Sequence, residues 1–220
     1  MKKYDTVVFD LDGTLLDTID DLSDSVNFAL SEEGFACRTV SEVKSFVGNG
    51  IIKLIERSVP EGVSEEERLR TLEAFKRHYA ANCENKTKPY DGILKLLDDL
   101  RSEGFKIAVV SNKIDSAVSV LCEKYFGARI DFCVGDREGL ARKPAPDAVL
   151  EALKKLSSTP ERAVYIGDSD VDIKTAENAG MTCISVSWGF RSRDFLLLNG
   201  ASVIADKPSD IYTILMHTDF

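Results

Sequence analysis

The chain has 220 residues, 44% hydrophobic and 30% charged, with a net charge of −9 at pH 7. That balance describes a folded globular protein, long enough for one large domain or a core with a smaller companion. It excludes a membrane span, since no apolar run nears the ~20 residues required, and it argues against nucleic acid as a partner, since no block of Lys or Arg offsets the negative charge.

Met1-Lys2-Lys3 runs directly into a strand, leaving no room for a secretory signal, so a cytoplasmic location is expected. Thr6-Val7-Val8-Phe9 is β-branched and aromatic without a polar break, the pattern of a strand buried on both faces of a parallel sheet. Asp10 and Asp12 follow at its C-terminal end, where open α/β sheets place their ligands, and Gly13 allows a sharp turn. The pair reads either as an acidic turn or as a site for magnesium-assisted phosphoryl transfer, with Asp10 as nucleophile and Asp12 as acid and base. The residues downstream decide between the two.

Beyond Thr14, Ile19, Leu22, Val26, Ala29 and Leu30 fall at helical spacing, with Thr18 expected as the N-cap. Helices are also predicted over about 41–47, around Ile51–Val59, and over about 64–82, the last opened by the capping box Ser64-Glu65-Glu66-Glu67. No strand is evident from Asp17 to Lys88, so this span reads as a helical insertion in an α/β domain. Strands and helices then alternate. A helix carries Ile93, Leu96, Leu97 and Leu100; strands are predicted at Lys106–Ser111, Asp131–Val134, Ala163–Asp168 and Thr182–Val186, with a weaker edge strand near Ala201–Ala205. Helices fill the gaps, over about 115–125, from Pro146, after Asp168 to about Ala179, and at 209–216. The five cysteines include no C-x-x-C pair and read as buried free thiols; His78 and His217 suggest no zinc site.

Four polar groups end strands or lie in the loops after them: Asp10 with Asp12, Ser111 with Asn112, Lys143, and Asp168 with Asp172. Parallel strands bring their C-terminal ends to one edge, so these groups can converge. Asp10 and Asp168 offer the hard oxygens Mg²⁺ prefers, and the Asp12 carbonyl could add a third ligand. A cation is needed: a carboxylate about 4 Å from a phosphate dianion meets roughly 4 kcal/mol of repulsion per unit charge at an effective dielectric of about 20. Mg²⁺ and Lys143 would cancel most of it. Each element also has a plainer account. Lys143-Pro144 could be a solvated loop, Ser111 could cap the next helix, Asp170 suits a helix start, and Trp188-Gly189 suits loop packing. A calcium loop over Asp168–Ala179 is ruled out by Ile173 at position six and Ala179 at position twelve.

The segments DLDGTL (Asp10–Leu15), VVSNK (Val109–Lys113), KPAP (Lys143–Pro146) and GDSDVD (Gly167–Asp172) resemble, in order, the four motifs of the haloacid dehalogenase superfamily, over nearly the whole chain. The Asp10/Asp12 pair resembles its phosphatase branch, since true dehalogenases lack the second Asp. DGTLLDT, FVGNG (Phe46–Gly50) and PYDGI (Pro89–Ile93) are similar to phosphoglycolate phosphatases. The resemblance implies an α/β fold: a Rossmann-like parallel-sheet core over residues 1–16 and 89–220, with an inserted α-helical cap over 17–88. It implies Asp10 as nucleophile, Asp12 as general acid and then base, Ser111 and Asn112 at the phosphate, and Lys143 as charge stabiliser. Mg²⁺ would be held by Asp10, Asp12 and Asp168, with Asp172 behind them or as an extra ligand. The loop Gly48-Asn49-Gly50 is either a plain turn or a contact for an anionic group of a small substrate. The expected partner is a small phosphorylated metabolite, with no membrane or nucleic acid, the protein being a monomer or homodimer. A phosphosugar phosphatase, a phosphomutase and a pyrophosphatase share this core; an aspartyl-phosphate receiver would lack both the insertion and Asp12.

Overall fold

The computed structural model describes residues 3–217. The chain divides into two compact units, Asp17–Lys88 and the remainder.

The larger unit opens with β1 (Thr6–Phe9), and β2 (Leu16–Asp17) follows the acidic turn. The smaller unit holds α1 (Ile19–Glu32), α2 (Val40–Phe46), α3 (Gly50–Ser58) and α4 (Glu65–Asn82). The chain continues through β3 (Lys88–Pro89), α5 (Ile93–Ser102), β4 (Lys106–Ile114), α6 (Asp115–Tyr125), β5 (Phe132–Asp136), α7 (Asp147–Lys155), β6 (Ala163–Gly167), α8 (Asp170–Ala179), β7 (Thr182–Val186), α9 (Arg193–Leu198), β8 (Ile204–Ala205) and α10 (Pro208–His217). Six strands form a parallel sheet in the order β5-β4-β1-β6-β7-β8. The weak last strand is an edge, as its sequence suggested. β2 and β3 pair as a separate two-stranded sheet; at two residues each they are too short to show a periodicity.

The sheet is covered on both faces, which is why its strands read as unbroken apolar runs. Alternate side chains divide between two apolar layers. Val7, Phe9, Ile107, Val109, Val164 and Ile166 join α5 and α6 on one side. Val8, Ala108, Val110, Ala163 and Tyr165 join α7 and α8 on the other. β1 lies in the middle, between β4 and β6, so the turn after it is flanked by the ends of both neighbours.

The smaller unit has its own core, in which Leu22, Val26, Ala29 and Leu30 of α1 meet Val43, Leu54, Ile55 and Phe75. The Ser64–Glu67 capping box forms as expected, and a second one, Thr39–Glu42, opens α2. Thr18 does not cap α1. It occupies the N-cap position with φ −111° and ψ 1°, not the extended backbone a cap requires, and its buried hydroxyl bonds nothing. All five cysteines are free; Cys83 and Cys122 are buried as expected, whereas Cys37 is exposed. No described helix is long and apolar enough to cross a membrane.

Candidate active site

The site lies at the C-terminal ends of β1, β4 and β6. Asp10 continues β1 by donating its N–H to Ile166 O at 2.8 Å. The chain then turns tightly, Leu11 O accepting from the N–H groups of Thr14, Leu15 and Leu16. Gly13 is required twice over: its φ is +87°, and a Cβ there would overlap the Asp168 carboxylate. A Cβ on Gly189 would strike the same carboxylate, so Asp168 fits between two glycines. There it accepts from Thr14 Oγ1 at 3.3 Å and from the Phe190 N–H at 2.6 Å. Trp188, expected only to pack, donates its indole N–H to Thr14 O at 3.0 Å and so ties this loop to the turn.

Lys143 is the hub. Its ammonium donates to Asp10 Oδ1 at 2.7 Å, to Asp172 Oδ1 at 2.8 Å and to Tyr165 Oη at 3.0 Å, all buried. Its backbone is gripped by Asn112, whose Oδ1 accepts the Lys143 N–H at 2.8 Å and whose Nδ2 donates to the Lys143 carbonyl at 3.0 Å. The Asn112 amide, expected at the phosphate, is thus a clasp on the loop that delivers Lys143. The Lys143–Pro144 peptide is cis. Lys143 is no solvated loop residue.

Asp172 serves two functions through its two oxygens. Oδ2 accepts from the Ser169 N–H at 3.1 Å and its hydroxyl at 2.6 Å, completing a capping box on α8, while Oδ1 faces Lys143 and Tyr165. A Cβ on Gly167 would overlap Asp172, so β6 must end in glycine to admit it. Ser111 Oγ accepts the Lys113 N–H at 3.2 Å and does not cap α6. The strand holding it runs on to Ile114 with a shift in register after Val110. That extension brings in a residue sequence reasoning passed over: Lys113 Nζ lies 2.8 Å from Asp12 Oδ1.

Carboxylate oxygens of Asp10, Asp168 and Asp172 lie within 4.8 Å of one another, all three residues buried. Burial pushes the Asp168 carboxyl up to about 7, reinforced by Asp172 and only partly opposed by the Phe190 N–H and Lys143. Burial likewise holds Asp10 well above the usual carboxylate range, against the pull of Lys143. Burial disfavours the Lys143 ammonium, yet Asp10 and Asp172 outweigh it and keep the proton on. Three buried carboxylates around one ammonium carry an excess of negative charge when all are ionised. The donors are hard oxygens, and the deficit is one a divalent cation would offset, so these residues fit such an ion. Asp12, its carboxylate turned to Lys113, stands outside the trio.

Gly48, Asn49 and Gly50 belong to the smaller unit, where Gly48 and Asn49 follow α2 and Gly50 opens α3. Both glycines have positive φ, +124° and +80°. Arg57 braces the loop, donating to Asn49 Oδ1 at 2.9 Å and Phe46 O at 2.7 Å, and Lys53 is engaged by Glu56 at 2.6 Å.

A family model for haloacid dehalogenase-like hydrolases matches residues 7–186. A protein of Aquifex aeolicus named phosphoglycolate phosphatase is 35% identical over 95% of both chains. One of the same name from Mesorhizobium japonicum is 32% identical over 90% of this chain and 89% of its own. A crystal structure from Lactobacillus delbrueckii subsp. bulgaricus, provisionally named a phosphoglycolate phosphatase, superposes with a TM-score of 0.94 at 40% identity, covering 99% of this chain and 100% of its own. With the matched segment spanning β1 to β7 and so including every residue of the acidic site, the chain belongs to the haloacid dehalogenase-like hydrolases.

Proposed function

We propose that the protein is a Mg²⁺-dependent phosphomonoester hydrolase that works through an aspartyl-phosphate on Asp10 and takes 2-phosphoglycolate as substrate. The observation that carries the chemistry is the buried Lys143 ammonium 2.7 Å from Asp10 Oδ1, with Asp168 and Asp172 closing the group. The substrate rests on the names of the Aquifex and Mesorhizobium relatives.

The Asp10 carboxylate attacks phosphorus and the ester oxygen departs as alkoxide, which Asp12 protonates. Asp12 then takes a proton from water, whose oxygen attacks the same phosphorus, releasing phosphate and restoring the Asp10 carboxylate. The Ser111 hydroxyl holds a phosphoryl oxygen, and Lys143 balances the charge carried from Asp10 to the phosphoryl group. Mg²⁺ would be held by Asp10, Asp168 and the Asp12 backbone carbonyl, with Asp172 behind them or as a further ligand, and would supply positive charge to the transferring phosphoryl group. Gly48, Asn49 and Gly50 form a loop whose backbone N–H groups suit an anionic group of a small substrate.

Initial rates with Mg²⁺ over 2-phosphoglycolate, hexose phosphates, nucleoside monophosphates and pyrophosphate test the reading. The highest kcat/KM is expected for 2-phosphoglycolate, and a clear preference for another of these overturns the substrate. Asp10→Asn is expected to fold and to turn over nothing. A folded variant releasing phosphate at more than a few per cent of the wild-type rate removes Asp10 as nucleophile.

A further inference from the structure

A lysine ammonium has three N–H donors and no acceptor. Those of Lys143 point to three named oxygens, on Asp10, Asp172 and Tyr165. The Tyr165 phenol is engaged on both sides: its oxygen accepts from Lys143 at 3.0 Å and its O–H donates to Asp172 Oδ1 at 3.1 Å. Ammonium, phenol and carboxylate therefore close a three-membered ring of hydrogen bonds. Tyr165 is fully buried in the middle of β6, on the sheet face shared with Val8, Ala152 and Ala176, and its ring cannot leave without opening that layer. A phenol at this depth needs a partner for its O–H, and a strand interior calls only for an apolar side chain. Phenylalanine would fill the same space without the oxygen.

We infer that Tyr165 is a positioning residue for phosphoryl transfer. With Asp172 it anchors two of the three N–H bonds of Lys143, so the third is held toward Asp10. The consequence appears during reaction. Once Asp10 is phosphorylated its carboxylate charge is gone and it accepts from Lys143 more weakly. An ammonium tied at two points stays aimed at the phosphoryl oxygens that arrive there. Tied at Asp172 alone, it turns about that bond and loses the aim. The phenol contributes nothing to substrate capture and acts after binding, so its removal should lower kcat and leave KM alone.

The kinetic consequence rests on the proposed phosphatase reading; the state of the ammonium does not. Tyr165→Phe is expected to lower kcat for 2-phosphoglycolate about tenfold, equivalent to about 1.4 kcal/mol, with KM within about twofold of wild type. The ¹H–¹⁵N correlation of the Lys143 ammonium, assigned by its loss in Lys143→Met, is expected to be protected from solvent exchange in the wild type and broadened in Tyr165→Phe. Leu153→Ala, in the same apolar layer, controls for stability: it should lower Tm with kcat and the ammonium signal unchanged. A Tyr165→Phe enzyme with wild-type kcat, a Leu153→Ala enzyme that loses as much kcat for the same fall in Tm, or a Tyr165→Phe ammonium as protected as wild type overturns the inference. If the wild type hydrolyses none of the esters, the phosphatase reading fails, and the resonance still decides whether the phenol fixes the ammonium.

Discussion

Lys113 and Asp12 stand 101 residues apart and form an ion pair of 2.8 Å, the ammonium side chain 4% exposed and the carboxylate 14%. The pair sets the direction of the residue proposed to move protons in both halves of the reaction. Lys113→Met should therefore lower kcat tenfold or more. Where two residues act as one unit their effects do not add. The double variant with Asp12→Asn is expected to be no slower than Asp12→Asn alone. Additive losses in kcat would separate Lys113 from the proton step.

Asp168 makes the metal-free protein sensitive to pH. Its folded carboxyl titrates near 7, against 3.8 for an ordinary aspartate. Between those values the folded state binds the proton and the unfolded state does not, so stability falls as pH rises through the window, and the cost is fully expressed above about pH 7. A bound cation offsets that cost only where the carboxylate is ionised. The Tm gain from Mg²⁺ over EDTA should therefore be small at pH 5, grow toward pH 8, and be flatter in Asp168→Asn. A gain independent of pH, or the same in the variant, would disconnect Asp168 from the metal.

Gly189 and Gly104 separate two costs of adding one methyl group. A Cβ at Gly189 meets the Asp168 carboxylate and the Gly13 carbonyl, whereas Gly104 has open space and a φ of +78°. Gly104→Ala should lower stability by about 1–2 kcal/mol through left-handed backbone alone, with activity unchanged. Gly189→Ala should displace Asp168, and Mg²⁺ should be needed at tenfold higher concentration or more. Titration of activity with Mg²⁺ reads both; equal Mg²⁺ dependence in the two variants would show that the fit around Asp168 is unimportant.

The loop in the smaller unit offers a test of specificity. Gly50 has φ +80°, and Arg57 holds Asn49 beside it. Gly50→Val is expected to cut kcat/KM for 2-phosphoglycolate at least tenfold and to change hydrolysis of a bulky aryl phosphate little. Parallel losses on both substrates, at unchanged Tm, would take this loop out of substrate recognition.

What the amino-acid sequence determined by itself is local. Thr6–Phe9, Ala163–Gly167 and Thr182–Val186 are strands because short β-branched and aromatic runs have few other uses when both faces are buried. Acids after the first two mark the ligand edge of a parallel sheet, and Ser64 with Glu67 announces the helix that starts at Glu65. The Ser169–Asp172 capping box went unread because Asp stands where Glu or Gln usually does. Thr18 fits the N-cap pattern, but the backbone entering α1 is not extended there. The contacts that finish the site join distant segments: Lys113 to Asp12, Asn112 to the Lys143 backbone, Tyr165 to Lys143, and the Gly189–Phe190 backbone to Asp168. In sequence Tyr165 is one more strand residue and Trp188-Gly189 one more loop. Only the packing of β6 against the Lys143 loop, and of the loop after β7 against the turn after β1, gives them partners. A periodicity reports which face a side chain takes, but a hydrogen bond between residues 22 to 101 apart depends on which strands become neighbours, and that is decided when the sheet assembles.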